Sequence, residues 1–421
     1  MKILMISHSD LNGGAARASL RIFQALSKYG IDVKMLVKQK LSDEDNIKDI
    51  KSFYTNKFLM KIDSYHTKIE NLYYKRKLNQ YKLNEDQFIS NLSSINLNRA
   101  LNTLEFDIIH LNWISHQFVD LDVLLELNKP IVWTLHDCWA FTGICHYFDQ
   151  CTHYTESCGS CRLLNSENTK DLSHEIWRKK SRVYDGCNMQ IITPSKWLRD
   201  SVAQSSLLHK KPVSVIPYPI NTDIFKPIDK ITARSKLGLD QNNKYVLFGA
   251  MNATTDQRKG YDYLLKAIKI LLQKGKTNLQ VIVFGSVNAH NESTNGYPII
   301  YYNTIWTDSD LINFYNAVDV TVVPSLSENL SLVIMESLAC STPVVAFNVG
   351  GNADMIDHKI NGYIASNIHD DDLAKGIEWC LEEVNTDYLK VEARRKVVDN
   401  FKEDIVANQY VSMYNNMIRL K

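Results

Sequence analysis

The chain has 421 residues, 45% of them apolar and 23% charged, with a formal net charge of +1. That length exceeds one ordinary core and predicts two domains, and the near-neutral balance removes the electrostatic argument for a nucleic-acid partner. No apolar run approaches the roughly 18 residues of a spanning helix and the opening MKILMIS is too short for a signal segment, so the expectation is a soluble, cytoplasmic protein with reduced or metal-bound cysteines.

In chain order, residues 2–7 read as a buried strand, and Asn12-Gly13-Gly14 turns it into a helix over 15–29 that stops at Gly30. Gly13 and Gly14 would let backbone N–H groups approach a ligand, or simply make a tight turn. The spacing is not GxGxxG, which counts against a dehydrogenase. Residues 31–37 give a second strand. Residues 56–85 carry Lys57, Lys61, Lys68, Lys75, Arg76, Lys77 and Lys82 against Asp63, Glu70 and Glu85, with Phe58, Ile62, Tyr65, Ile69, Leu72 and Tyr73 at helical spacing. This basic amphipathic segment predicts either a peripheral contact with an anionic membrane or a solvated helix on its own domain.

Residues 106–111 and 131–137 are two further buried strands, the second ending in Thr134-Leu135-His136-Asp137. A histidine at a strand's carboxyl end can hydrogen-bond a sugar hydroxyl, or be a satisfied core residue. Cys145, Cys151, Cys158 and Cys161 then follow in a C-x5-C-x6-C-x2-C spacing, with His146 and His153 as alternative ligands. Four thiolates could hold a structural zinc that folds a polar insert; free thiols, disulfides or an iron-sulfur centre are the alternatives. Residues 189–195 and 213–218 are strands, and the prolines of PYPINTDIFKP mark a crossing into a second domain.

The second alternation of strands begins at 245–250, continues through 280–286, 319–324 and 344–346, and ends near 363–365. Between its first two strands Arg258 and Lys259 precede a helix, as an exposed basic loop or as a pair able to neutralise a diphosphate without a metal. The loop 325–329 follows a strand, and Ser331 is a candidate N-cap for a helix over 332–339 that ends at Thr342-Pro343. The amides that open this helix favour an anion. Glu328 lies in the loop and Glu336 in the helix, roughly 7 to 8 Å further on at about 1.5 Å per residue; the plain reading is a solvated loop acid and a surface helix residue. Asp120-Leu-Asp122, Asp308-Ser-Asp310 and Asp370-Asp-Asp372 fit a metal-binding D-x-D, but helix capping explains them better. A last helical stretch covers 404–420.

The acids of SEN...ME, eight positions apart, and the following STPVVAFNVGG resemble the signature of glycosyltransferase family 4, retaining enzymes of the GT-B fold. The resemblance implies an α/β protein of two Rossmann-like domains with parallel sheets facing a cleft. The first would span 1–218, with the cysteine insert at 138–165, and be completed by a helix over 402–421; the second, over 219–401, would bind the nucleotide sugar. It implies catalytic roles for His136, Glu328, Arg258 and Lys259, with Glu328 on the donor sugar. Gly13, Gly14, Asn329, Leu330, Ser331, Leu332, Val333 and Glu336 would bind the donor, Glu336 through the ribose. No cofactor would be needed for catalysis.

The implied partners are a nucleoside-diphosphate sugar and a saccharide or lipid-linked acceptor, in cell-envelope polysaccharide or glycolipid synthesis at the inner face of the membrane. Three positions depart from the family: Asn329-Leu330-Ser331 replaces a Gly-Phe-Gly-like turn, Asp354 stands where Glu is usual, and Met251 where Arg is frequent. A nucleotide-sugar 2-epimerase and a non-catalytic nucleotide-sugar sensor are the alternatives on the same scaffold.

Overall fold

The computed structural model describes residues 1–54, 57–83, 95, 97–116, 118–285, 296, 299–303, 307–382 and 386–419, with backbone only for 57–64, 66 and 386. Residues 56 and 84–85 of the basic segment, Ser286 and Leu420 lie outside that set. The chain divides into two compact units, Met1–Tyr218 with Ala407–Lys421, and Pro219–Val406.

The first unit is built on a parallel sheet of β1 (Lys2–Ser9), β2 (Asp32–Gln39), β3 (Ile47–Asp49), β4 (Ile108–Leu111), β5 (Ile131–Thr134), β6 (Met189–Thr193) and β7 (Val213–Val215), in the order β3-β2-β1-β4-β5-β6-β7. Its central strands are apolar on both faces because helices cover both sides of a parallel sheet. Ile3 pairs with Val33 on one side and Ile108 on the other, and all three are buried. The end of the chain joins this unit: in helix Glu403–Arg419, Tyr414 Oη lies 2.7 Å from His110 Nδ1, and Tyr410 Oη 3.2 Å from Thr134 Oγ1. The polar atoms that this helix buries against β4 and β5 are thereby paired.

The second unit repeats the plan with β8 (Lys244–Gly249), β9 (Leu279–Phe284), β10 (Ile299–Tyr302), β11 (Val320–Val323), β12 (Val344–Phe347) and β13 (Gly362–Ala365), ordered β10-β9-β8-β11-β12-β13 and parallel throughout. Val246 pairs with Val281 and Val320 at its centre. In each sheet the order reverses next to the first strand, between β1 and β4 and between β8 and β11. Loops leaving such a switch point diverge and open a crevice at the strands' carboxyl ends.

Two edge strands, β3 and β10, have no counterpart in the sequence reading. The first has three residues, two of them charged, and the second four that are mostly half-buried, too few for periodicity to separate from loop. The D-x-D pairs also differ from the capping expectation. Thr307 and His369 are the caps, so Asp308, Asp310 and Asp370–Asp372 sit in first helical turns, where the macrodipole favours them. Asp122 does stand at the N-cap of the short helix Val123–Glu126 but makes no side-chain capping bond, and both it and Asp120 form ion pairs with Lys179.

Candidate active site

At the switch point of the second unit three loops converge on Glu328. The loop after β8 closes with the short turn Gln257–Lys259, where Asp256 accepts the Arg258 backbone N–H at 3.1 Å. Gly260 follows with φ 72°, and a Cβ there would stand 1.9 Å from the Pro324 carbonyl oxygen, so only glycine lets this loop lie against the loop after β11. The two are also joined by the Leu326 N–H, which donates to the Arg258 carbonyl at 2.8 Å. From the other side comes the Gly350-Gly351 turn after β12. A Cβ on Gly350, φ 56°, would fall 1.6 Å from the Glu328 carbonyl oxygen, and the Gly351 N–H donates to the Asn329 carbonyl at 2.8 Å.

This clamping presents Glu328 to Lys259, whose Nζ lies 2.8 Å from Oε2, with both side chains largely shielded from water. The Arg258 guanidinium binds the Asp256 carboxylate through two contacts of 3.1 and 2.6 Å. Asn329, Leu330 and Ser331 are buried and Leu332 and Val333 half-buried at the mouth of helix Leu332–Ala339. Ser331 occupies the N-cap position but makes no side-chain capping bond. Glu336 is 3% exposed and accepts from the buried Tyr315 hydroxyl at 2.6 Å, which overturns the surface-residue alternative.

At the switch point of the first unit, Ser9 Oγ accepts the Leu11 and Asn12 N–H groups at 3.4 and 3.2 Å and shapes the turn into Gly13. Gly13 has φ 99°, and a Cβ on Gly13 or Gly14 would meet nothing within 4 Å, so space is open over this turn at the start of helix Gly14–Lys28. His136 is buried behind it. Its Nε2 lies 3.2 Å from Asn112 Oδ1 and 3.3 Å from Ser19 Oγ, its Nδ1 lies 2.9 Å from Tyr218 Oη, and the two rings stack at 13°. Ser19 already donates to the Ala15 carbonyl, so the set is satisfied when His136 carries its proton on Nε2 and accepts from Tyr218. Burial pushes its pKa down to about 4, which leaves a neutral imidazole at physiological pH.

A second cluster stands beside it. Asp137 Oδ2 accepts from Trp113 Nε1 at 2.7 Å and lies 2.6 Å from His146 Nδ1, while Oδ1 accepts the Trp139 N–H at 2.8 Å. Burial raises the pKa of Asp137, but the charge and hydrogen bond of His146, with the other two donors, bring it below the usual carboxylate value. His116 stacks on His146 at 13°, and His8 meets Trp113 edge-on. Burial lowers both His8 and His116 to about 4. Sequence reasoning missed Ser19, Asn112, Trp113 and Tyr218. The one available signal was position, since Asn112 and Trp113 directly follow β4 as His136 and Asp137 follow β5.

The cysteine insert differs from the expectation. All eight cysteines are free thiols, and among the described residues no group of three or more His, Cys, Asp or Glu is placed to hold a metal ion. Cys145, Cys151, Cys158 and Cys161 therefore do not assemble the tetrahedral zinc set, and the two alternative ligands are used otherwise, His146 on Asp137 and His153 on the Gly159 carbonyl at 2.7 Å. Burial raises the thiol pKa of Cys145 and Cys161 and pushes that of Cys158 up to about 12, favouring protonated sulfur. Nor is the segment too polar to pack. Phe148 and Tyr154 stack within it, Phe141 packs tilted on the first and edge-on to the second, and the fully buried Lys180 side chain donates to the carbonyls of Trp139, Thr142 and Gly143.

Among the described residues, no helix is long and apolar enough to cross a membrane. Residues 12–224 match the family model described as Glycosyltransferase Family 4, and residues 229–403 the one described as Glycosyl transferases group 1. An uncharacterized glycosyltransferase of Methanocaldococcus jannaschii is 26% identical over 74% of this chain and 75% of its own. The capsular polysaccharide biosynthesis glycosyltransferase CapM of Staphylococcus aureus is 25% identical over 61% of this chain and 70% of its own. Among solved structures, sucrose-phosphate synthase of Thermosynechococcus elongatus superposes with a TM-score of 0.68 over the whole of both chains at 16% identity. Anabaena HepE in complex with UDP gives 0.62 over 99% of this chain and 100% of its own, also at 16%. Two parallel α/β sheets with these neighbours, and a family match over more than half the sequence, establish that the chain belongs to glycosyltransferase family 4, as an enzyme of glycosyl transfer with the GT-B fold.

Proposed function

We propose that this protein is a retaining glycosyltransferase that moves a sugar from a nucleoside diphosphate to an acceptor hydroxyl in cell-envelope polysaccharide or glycolipid synthesis. The observation that carries the reading is the Lys259–Glu328 pair at 2.8 Å, beside the mouth of helix Leu332–Ala339 at the carboxyl end of β11. A shielded cation and the first-turn amides of a helix suit a diphosphate, and a carboxylate one side chain away suits the hydroxyls of the attached sugar. The donor would lie across Asn329, Leu330, Ser331, Leu332 and Val333 with Glu336 on the ribose, and Arg258 would leave Asp256 for the anion. HepE, similar in fold, has been solved with UDP and with UDP-glucose, and CapM acts in capsular polysaccharide biosynthesis.

In this reading residues 219–401, within the second unit, hold the nucleotide sugar, and residues 1–218 with the helix over 402–421 serve the acceptor, a saccharide or a lipid-linked sugar at the inner face of the membrane. The bond from the anomeric carbon to the diphosphate breaks as negative charge gathers on the departing oxygen, which Lys259, Arg258 and the helix amides stabilise. The acceptor oxygen bonds to the anomeric carbon on the same face, and its proton passes to the departing phosphate. His136, neutral and fixed in one tautomer by Asn112 and Tyr218, orders the polar lining of the first unit's crevice and adds no cationic charge there. Gly13 and Gly14 leave room over the first unit's turn for a ligand. Residues of this chain suffice for the step, and no metal is called on.

The test is thermal-shift screening against nucleotide sugars, followed by turnover with the stabilising donor and assignment of the product's anomeric configuration by NMR. Retained configuration, with turnover lost in Glu328→Gln, is expected. An inverted product, or epimerised donor in the absence of acceptor, would overturn the reading.

A further inference from the structure

Helix Lys57–Leu78 is anchored to the first unit along one side. Tyr74 is buried against Ile144, Leu164, Leu172 and Ile176, the Tyr73 hydroxyl donates to Glu175 at 3.0 Å, and Lys77 forms an ion pair with the same carboxylate. At about 100° per residue, Tyr65, Lys68, Ile69, Leu72, Lys75 and Arg76 fall within one arc of about 120° on the side away from Tyr74. Three of these are large apolar side chains left in water, Tyr65 at 63% exposure and Ile69 and Leu72 at 67% each. The other three are exposed cations. The one acid between residues 65 and 78, Glu70, is half-buried and falls on the anchored side.

From this arrangement we infer that the outer face of helix Lys57–Leu78 docks the protein on an anionic lipid bilayer, Tyr65, Ile69 and Leu72 entering the headgroup boundary and Lys68, Lys75 and Arg76 contacting lipid phosphates. Exposed apolar side chains on a soluble domain mark something that covers them, and the charge of the same arc selects the cover. A second copy of the chain would oppose three cations with three cations, whereas an anionic leaflet gains about 1 kcal/mol for each cation brought to it. Long basic side chains can lay their stems along the apolar boundary and keep their charges at the phosphates. Lys68 already lies over the Tyr65 ring, its ammonium 5.3 Å from the centroid. The helix lies along the surface and does not span the bilayer, in keeping with its mixed composition. Docking would bring the first unit to a lipid-linked acceptor, but it is measured without donor or acceptor, so its failure and that of the transferase reading are separable.

The experiment is flotation of the full chain with phosphatidylcholine vesicles, with and without phosphatidylglycerol. Binding is expected only with the anionic lipid, and it should fall when salt rises from about 0.1 M to about 1 M, which shortens the screening length from about 10 Å to about 3 Å. Each of Lys68→Gln, Lys75→Gln and Arg76→Gln should weaken binding about fivefold, and Ile69→Ser with Leu72→Ser about tenfold or more. These exposed positions should leave the melting temperature and turnover of a soluble acceptor unchanged. Equal binding to neutral vesicles, no binding to anionic ones, or full binding by the serine double variant would overturn the proposal. So would self-association of the parent protein in light scattering that the serine variant abolishes, which would assign the face to a second copy.

Discussion

The two switch points use one backbone plan for opposite electrostatics. In the second unit the crevice holds an ion pair, Lys259–Glu328, clamped by two glycine-dependent loop contacts. In the first, hydrogen-bonded neutral rings stand beside the Asp137 carboxylate: His136 on Asn112, Ser19 and Tyr218, with His8 and His116 nearby, all three histidines depressed to about 4 by burial. A departing diphosphate needs fixed positive charge, and a sugar needs directional hydrogen bonds. In the proposed reading the second unit holds the nucleotide sugar through that charge, and the first unit serves the acceptor.

The sharpest way to break that contrast is to remove the charge. Lys259→Met and Glu328→Gln should each lower kcat/KM by about 10²- to 10³-fold, the range for losing one group aimed at developing charge, with the melting temperature nearly unchanged; steady-state kinetics on purified variants checks this. Comparable activity in Lys259→Met would remove the second unit's claim to the diphosphate, and in Glu328→Gln its claim to the sugar.

Acid probes the first unit. The folded pKa of His136, about 4, lies below its unfolded value of about 6.5, so between these pH values the unfolded chain binds more protons. Stability should be full above pH ~6.5 and fall by about 3 kcal/mol on this account as pH drops toward 4. Urea titrations across that window measure the slope, and His136→Gln should make it shallower. Hydrogen exchange at low pH should open the first unit's strands before those of the second.

Gly350→Ala tests the clamp itself. Its φ of 56° is left-handed and its Cβ would meet the Glu328 carbonyl oxygen, so the loop must shift at a cost of about 1 to 3 kcal/mol. Activity should fall more than stability, read as kcat/KM against a urea midpoint. The smallest effect belongs to Tyr218→Phe, which removes one hydrogen bond to His136 Nδ1 and should cost about 1 kcal/mol of stability with only a modest change in turnover.

How much of this was legible beforehand differs by residue. The buried strands were plain because central parallel strands are apolar on both faces, as in Val320–Val323 and Val344–Phe347. Glu328 drew attention by its loop after a strand and Lys259 by its place just ahead of a helix, each with the family resemblance, and the structure brings the two together. The pairing of Arg258 with Asp256, two positions away, was not anticipated. The cysteine spacing suggested zinc because thiol counting sees only ligands, whereas Phe148, Tyr154 and the buried Lys180 supply packing that a spacing rule does not weigh.

Local pattern by itself determined the alternation of strands and helices, the turn glycines, the family, and which acids and bases sit at strand ends, because hydrophobic periodicity and backbone stereochemistry act over a few residues. Only the tertiary structure decided the strand order, the meeting of Lys259 with Glu328 across 69 positions, the neutral state of His136 and the arc of helix Lys57–Leu78 left to solvent. Those depend on which distant surfaces exclude water from one another, a property of the folded chain that no short window of residues contains.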